Sequence, residues 1–262
     1  MTLAIDLAGR AALVTGAGRG IGAAVAHALA AAGARVVVSA RSAEEIDAVA
    51  AAISGAGGEA HALACDVTDA GSVAALARHA AARVGRVDIL VNNAGVASSA
   101  PLERLALEEW NRLLAVNATG TYLVTRELLP PMLAQGWGRV VNVASIAGLA
   151  GAAYVTAYAA SKHAVVGFTR ALAAEVAARG ITVNAVCPGF VDTAMTDESV
   201  ARVAAKTGHA PEEARRRIEA MNPQGRLIDA EEVAYLVVAL CDERARGVNG
   251  QAIAIDGGAL AR

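Results

Sequence analysis

Cysteine is scarce in this chain: Cys65, Cys187 and Cys241 stand far apart, with no CxxC pair. That spacing excludes a disulfide framework and the usual zinc patterns, and it leads us to expect a reducing, cytoplasmic compartment and no metal. There is no dense block of Lys and Arg and the formal net charge is only −2, so no nucleic-acid partner is expected. The N-terminus lacks a basic segment followed by a long apolar run, so no signal peptide is expected. Aromatic residues are few, 3% of 262, against 55% hydrophobic residues. The core must therefore be built from Ala, Val, Leu and Ile, and at this length such a core suffices for one compact domain. One charge-free run, the 22 residues from Val140 to Ser161, is long enough to span a bilayer. It contains Asn142, Ser145, Gly148, Gly151 and Thr156 and opens on the strand-like VVNVAS. A strand, a glycine-containing loop and a helix start are expected there, not a membrane span.

What is present is an alternation. Apolar strand-like runs at Ala11–Thr15, Arg35–Ala40, Ala60–Cys65, Val87–Val91, Arg139–Ala144, Ile181–Cys187 and Gln251–Ile255 are separated by helical stretches. Those stretches are Ala23–Ala32, Ser42–Ser54, Gly71–Val84, Leu102–Leu114, Ala118–Ala134, Tyr154–Arg179 and Asp229–Cys241. This predicts a single α/β domain over residues 1–262: a Rossmann-type, doubly wound parallel sheet of about seven strands with helices on both faces. Asp69 reads as a helix cap. The stretch from Asp192 to Met221 is polar and helical, and the region 194–225 is expected to form a lid, because long connections in compact domains are usually functional. Asn117, in AVNATGTY, interrupts helical sequence at a cost in stability, which hints at a kink or a special role.

Three features carry chemistry. The first is GAGRGIG at Gly16–Gly22, between a strand and a helix. Glycines let backbone approach a pyrophosphate, and the helix N-terminus offers unpaired N–H groups and partial positive charge. The glycines used are Gly16, Gly20 and Gly22, or a GxGxxA reading from Gly18. The second is the end of the next strand, Ala40 followed by Arg41, with no acidic residue to accept from a ribose 2′-hydroxyl. Arg41, and Arg19 in the glycine loop, would suit a 2′-phosphate through charge-assisted bonds. Asp66 ends the following strand, either beside an adenine amine or as turn chemistry. The third is YAASK, which puts Tyr158 and Lys162 four residues apart on one helical face. At about 4 Å and an effective dielectric of ~20, the lysine cation would favour the phenolate by ~4 kcal/mol, bringing the phenol toward pH ~7. A general acid/base works best there.

With these pieces in order, the chain resembles the classical short-chain dehydrogenases/reductases from about Leu7 to Gly258. The resemblance rests on TGAGRGIG at Thr15–Gly22, CDVTD at Cys65–Asp69, NNAG at Asn92–Gly95, Asn117, Ser145, Tyr158 with Lys162, and PGFVDT at Pro188–Thr193. It implies that Ser145 binds the substrate oxygen, that Tyr158 gives or takes the proton, that Lys162 holds the nicotinamide ribose and lowers the tyrosine pKa, and that Asn117 orders a water for proton resupply. It further implies dinucleotide contacts from Gly16, Arg19, Gly20, Ile21, Gly22, Arg41, Asp66, Val67, Asn93, Ala94, Gly95, Tyr158, Lys162, Pro188, Gly189, Val191 and Thr193. Val96, Ala97, Ala147, Tyr154, Phe190 and Met195 are the expected substrate pocket. NADP(H) is the expected cofactor, with NAD(H) possible.

AASKHAVVGFTRAL and PGFVDTAM are similar to runs in 3-oxoacyl-thioester reductases and polyketide ketoreductases, which implies an oxoacyl thioester or related ketone as substrate. Arg215 to Arg217 would meet an acidic carrier or a CoA phosphate, or form an ordinary solvated helix face. The family also implies a homotetramer built on the Leu102–Ala134 and Tyr154–Arg179 helices and the last strand. Three other readings are an NAD-dependent alcohol or hydroxyacyl-CoA dehydrogenase working oxidatively, an extended-family epimerase or dehydratase, and a non-enzymatic nucleotide-sensing regulator. The short stretch after Gly189 opposes the second of these. The retained Asn117, Ser145, Tyr158 and Lys162 oppose the third.

Overall fold

The computed structural model describes residues 4–261. Seven strands form one parallel sheet in the order β3-β2-β1-β4-β5-β6-β7. They are β1 (Ala11–Thr15), β2 (Arg35–Ala40), β3 (Glu59–Ala64), β4 (Ile89–Asn92), β5 (Gly138–Val143), β6 (Ile181–Pro188) and β7 (Ala252–Ile255). The chain steps outward from β1 through β2 to β3, then returns to the other side of β1 with β4. The carboxyl ends of β1 and β4 therefore flank the switch point where ligands of open α/β sheets collect.

The strands read as continuous apolar runs because both faces are covered. Within β1 and β2 the alternate residues go to different cores. Val14, Val36 and Val38 join Val25 and Leu29 of α1 (Gly20–Ala31), Ile46, Val49 and Ile53 of α2 (Ala43–Gly55), and Val233 and Val237 of α9 (Ala230–Cys241). Leu13 and Val37 join the other face. There they meet Val73 and Leu76 of α3 (Ala70–Val84), Leu123 and Leu128 of α5 (Gly120–Gln135), and Leu172 and Val176 of α6 (Thr156–Val176). The period-2 alternation of a strand is what divides these residues between two helical layers.

Several boundaries differ from the sequence reading. The helix around Tyr158 starts at Thr156, and Tyr154 lies outside it. Tyr154 has φ 69°, the only non-glycine in the left-handed region among the described residues, so it cannot begin a right-handed helix. The stretch 102–114 is a short 3-10 turn at Leu102–Arg104 followed by α4 (Leu107–Leu114). Asn117 sits in a π-turn, Ala115–Thr119, that joins α4 to α5 without a break. The special role expected of Asn117 thus has a backbone counterpart, since single π-turns widen a helix locally. Residues 140–161 are the end of β5, a loop and the start of α6, and no helix among the described residues is long and apolar enough to cross a membrane. The polar stretch is two helices, α7 (Ala194–Thr207) and α8 (Pro211–Glu219). They enclose a small core of their own from Val200, Ala214, Ile218 and Leu227.

Candidate active site

The glycine loop after β1 is clasped from two sides. Gly16 has φ 62°, and a β-carbon there would lie 2.7 Å from the Ala94 Cα. One at Gly22 would run into the Gly16 carbonyl and the Asn93 amide, and one at Gly20 would lie 3.2 Å from Thr193 Cγ2. Gly16, Gly20 and Gly22 are thus the glycines crowded by the loops that clasp this turn. Gly18 instead faces Glu45 of α2. Asn93 fastens the loop: its Nδ2 donates to the carbonyls of Thr15 (3.0 Å) and Gly16 (2.9 Å). The N–H groups of Asn93 and Ala94 both donate to Thr15 Oγ1 at 3.1 Å. The loops after β1, β4 and β6 are in this way drawn to one edge, and the first turn of α1 carries no acidic residue and no side-chain cap. Its N–H groups are left for an anion.

At the end of β2, Arg41 is exposed and among the described residues has no ion-pair partner. Arg19 lines a shallow recess between α1 and α2 with His27, Glu44 and Glu45. Asp66 is engaged in turn chemistry: its Oδ1 accepts from the N–H (2.9 Å) and hydroxyl (2.7 Å) of Thr68. Those bonds, with a smaller contribution from nearby Arg41, hold its carboxyl below the usual range. Asp69 caps α3 by accepting from Gly71 N–H at 2.7 Å. Val67 is buried against Gly120.

The structure brings Asn117, Ser145, Tyr158 and Lys162 together from α4–α5, the end of β5, and α6. Asn117, Ser145 and Lys162 are buried. Asn117 is held on both sides of its amide: Oδ1 accepts from Val96 N–H, and Nδ2 donates to the Val96 carbonyl and to Ser161 Oγ, all at 2.9 Å. Ser161, also buried, passes its own proton to the Tyr158 carbonyl at 2.7 Å. The π-turn is so tied to the first turn of α6. Lys162 Nζ donates to the Val143 carbonyl at the end of β5, 2.9 Å away, and lies 5.9 Å from the centre of the Tyr158 ring. Gly95 makes room for this arrangement, since a β-carbon there would lie 3.3 Å from Asn117 Oδ1 and 3.5 Å from Lys162 Nζ.

The electrostatics depart from the sequence estimate. Tyr158 is half-buried, and desolvation pushes its pKa above the ordinary phenol value. The neighbouring Ser145 hydroxyl pulls the other way through a hydrogen bond. Burial is the largest influence on the phenol, and the Lys162 ammonium is committed to the Val143 carbonyl. Lys162 is itself lowered to about 8 by burial. Cys187, at the end of β6, accepts from Ser145 N–H, and burial pushes its thiol up to about 11. It is neutral at physiological pH.

Of the expected pocket residues, Val96, Ala97 and Ala147 lie partly buried on the loops after β4 and β5. Tyr154 is exposed, and its carbonyl accepts from Ala100 N–H at 2.8 Å, linking those two loops. Met195 is exposed at the start of α7. Phe190 packs against the α7–α8 core. Gly189 abuts Asp256, and Val191 is buried and bridges to Ile228. Arg215 is engaged by Asp192 (2.8 Å), Asp197 (3.2 Å) and Glu219 (3.1 Å). Arg216 and Arg217 share Glu213. This is an ion-paired helix face. Sequence reasoning missed Ser161, although it lies inside YAASK, and the buried chain of amides and hydroxyls Thr125–Asn92–Asn142–Thr169 that crosses β4 and β5. Their only signal was polarity inside otherwise apolar strands and helices.

No group of three His, Cys, Asp or Glu side chains suited to a metal occurs among the described residues. A family model described as short chain dehydrogenase matches residues 10–204. The chain is 42% identical to a putative ketoacyl reductase of the granaticin polyketide synthase of Streptomyces violaceoruber, covering 94% of this chain and 92% of that one. It is 38% identical to a D-beta-hydroxybutyrate dehydrogenase of Cupriavidus necator, covering 98% and 100%. Among solved structures, a variant of actinorhodin polyketide ketoreductase with NADPH is 41% identical, with a TM-score of 0.93 and 99% of each chain covered.

Proposed function

Because the chain belongs to the short-chain dehydrogenase family and is an oxidoreductase, we propose that it is an NADP(H)-dependent ketoreductase acting on a 3-oxoacyl thioester or polyketide-like ketone. The observation that carries this reading is the meeting of Ser145, Tyr158 and Lys162 in one crevice, beside a glycine loop clasped by Asn93 and Thr193. Gly16, Gly20 and Gly22 would admit the pyrophosphate at the start of α1. Arg41 would meet the 2′-phosphate, and Lys162 the nicotinamide ribose. The bound cofactor supplies the hydride.

The chain's own residues handle the oxygen. Ser145 Oγ is placed to donate to a carbonyl oxygen as charge develops on it, where a fixed donor in a desolvated site is worth most. Tyr158, whose pKa burial raises further above the ordinary phenol value, is protonated at neutral pH and placed to give that oxygen a proton. Lys162, titrating at about 8, is mostly charged at pH 7 and favours the phenolate left behind. Asn117 fixes the loop at Val96 and the start of α6 at once, so it orients both walls, and its π-turn is the expected place for a proton-resupply water. The paired Arg215–Arg217 face argues against recognition of a carrier or CoA phosphate there.

The dehydrogenase of Cupriavidus necator keeps a second reading open, an NAD-dependent hydroxyacyl or alcohol dehydrogenase working oxidatively. Both are tested by measuring kcat/KM for NADPH with 3-oxoacyl esters and thioesters, and for NAD with the matching alcohols, at pH 7. The proposal expects NADPH-linked reduction to dominate, and Tyr158→Phe to lose at least ~100-fold in kcat with NADPH affinity retained. A phenylalanine variant within a few-fold of wild type would remove Tyr158 from the chemistry. A tenfold preference for NAD and alcohol would establish the second reading.

A further inference from the structure

We propose that Gly148 is a positioning residue for this reaction: its missing side chain lets the turn after β5 rest on the backbone of α6 at Lys162, and that seat sets the approach of Ser145 to Tyr158. The inference rests on the reading of Ser145 and Tyr158 given above. Ser145 caps a single 3-10 turn, Ile146–Gly148. Its hydroxyl accepts from Ala147 N–H at 3.1 Å, and its carbonyl accepts from Gly148 N–H at 2.8 Å. Ser145 and Gly148 are therefore the two ends of one short, internally bonded unit.

The far end of that unit is wedged. A β-carbon on Gly148 would lie 2.7 Å from the carbonyl oxygen of Lys162, 2.9 Å from its carbonyl carbon and 3.2 Å from Val166 Cγ2. The first two are helix backbone, which cannot swing aside as the tip of a side chain does. Ordinary carbon contacts begin near ~3.5 Å, so alanine would have to lift the turn off α6 by several tenths of an ångström. Tyr158 and Lys162 ride on α6, whereas Ser145 rides on the turn. The lift consequently separates the two halves of the oxygen site and leaves each intact. Gly151, three residues further along the same loop, has nothing within 4 Å of its β-carbon position and supplies the internal contrast.

The test is a double-mutant cycle on kcat with an ethyl 3-oxoalkanoate and NADPH, alongside the Kd for NADPH. A misplacement of 1 Å costs on the order of 100-fold, so Gly148→Ala is expected to lower kcat about tenfold while the Kd stays within twofold. In the Ser145→Ala background, Gly148→Ala should change kcat less than twofold, because the group it misplaces is gone. Gly151→Ala should match wild type. The lost Ser145 bond should also move the alkaline limb of the Gly148→Ala pH profile upward. A Gly148→Ala variant with wild-type kcat, or one that multiplies the Ser145→Ala defect in full, overturns the inference alone. A Ser145→Ala variant with wild-type kcat overturns the reading of the site and the inference with it. Val166→Ala, which opens a gap under the same seat from the helix side, provides the test if Gly148→Ala does not fold. It should lower kcat several-fold at constant Kd, and wild-type kcat would count against the seat.

Discussion

Replacing Lys162 with Met should inactivate the protein and stabilise it at pH 7. Nζ is buried with the Val143 carbonyl, 2.9 Å away, as its hydrogen-bond partner, and burial lowers its pKa from 10.5 to about 8. The native state thus disfavours the charged amine relative to the unfolded chain. The gap between those values, at ~1.36 kcal/mol per pH unit, amounts to about 3 kcal/mol. Below pH 8 both states hold the proton, and the penalty is present in full. Between pH 8 and 10.5 the native state has released the proton while the unfolded chain keeps it, so stability rises with pH and the penalty fades. Losing the bond to Val143 offsets ~1 kcal/mol of the gain in the Met variant, which leaves it about 2 kcal/mol more stable at pH 7. Urea unfolding of both proteins without cofactor, from pH 6.5 to 10.5, would show the wild type gaining on the variant by about 3 kcal/mol across the upper half of the range. Lysine-labelled NMR gives an independent reading, because Lys162 and Lys206 are the only lysines in the chain. A difference in stability that stays flat with pH, or a Lys162 signal titrating near 10.5, would refute the argument.

The cofactor assignment turns on Ala40 and Arg41. Arg41→Ala should cut the preference for NADP(H) by ~10-fold or more, the worth of a charge-assisted bond of ~1.5–3 kcal/mol, and Ala40→Asp should reverse it, both read as ratios of kcat/KM. For the assembly, Leu102, Leu107 and Tyr122 on the α4–α5 side and Tyr235 on α9 are large apolar side chains left exposed. The homotetramer that the family resemblance implies would cover such side chains and is expected by sedimentation at micromolar concentration, and a monomer would count against it.

The sheet was legible in the sequence because its strands are buried on both faces and punctuated by glycine and charge. Strand edges moved by no more than two residues, as at β4, where Val87 is buried outside the ladder. The motif residues were legible because backbone approach demands glycine at Gly16 and Gly22, and because Asn93 must reach two carbonyls. What the sequence hid was of two kinds. One was the environment of a titratable group. The stretch YAASK shows a cation one turn from a phenol, but not that the ammonium is tied to Val143 or that desolvation is the largest influence at Tyr158. The other was contact between segments far apart in the chain, such as Gly148 on the Lys162 carbonyl or Ser161 on Asn117. The left-handed Tyr154 was equally hidden, since nothing in its own side chain asks for that conformation.

The separate core of α7 and α8 gives residues 190–227 an interior of their own. Its interior side chains, Val200, Ala214, Ile218 and Leu227, belong to neither of the two large layers that hold the sheet. The segment is joined to the scaffold by Gly189 on Asp256, Asn222 against Gly257, Thr193 against Gly20, the Val191–Ile228 bridge and the Arg226–Glu232 ion pair, and Val191 packs into one of the large layers. Substitutions at those four interior positions are therefore expected to leave the packing of both large layers intact. A transplant of that 38-residue segment between relatives would, however, have to carry matching partners at Gly20, Glu232, Asp256 and Gly257.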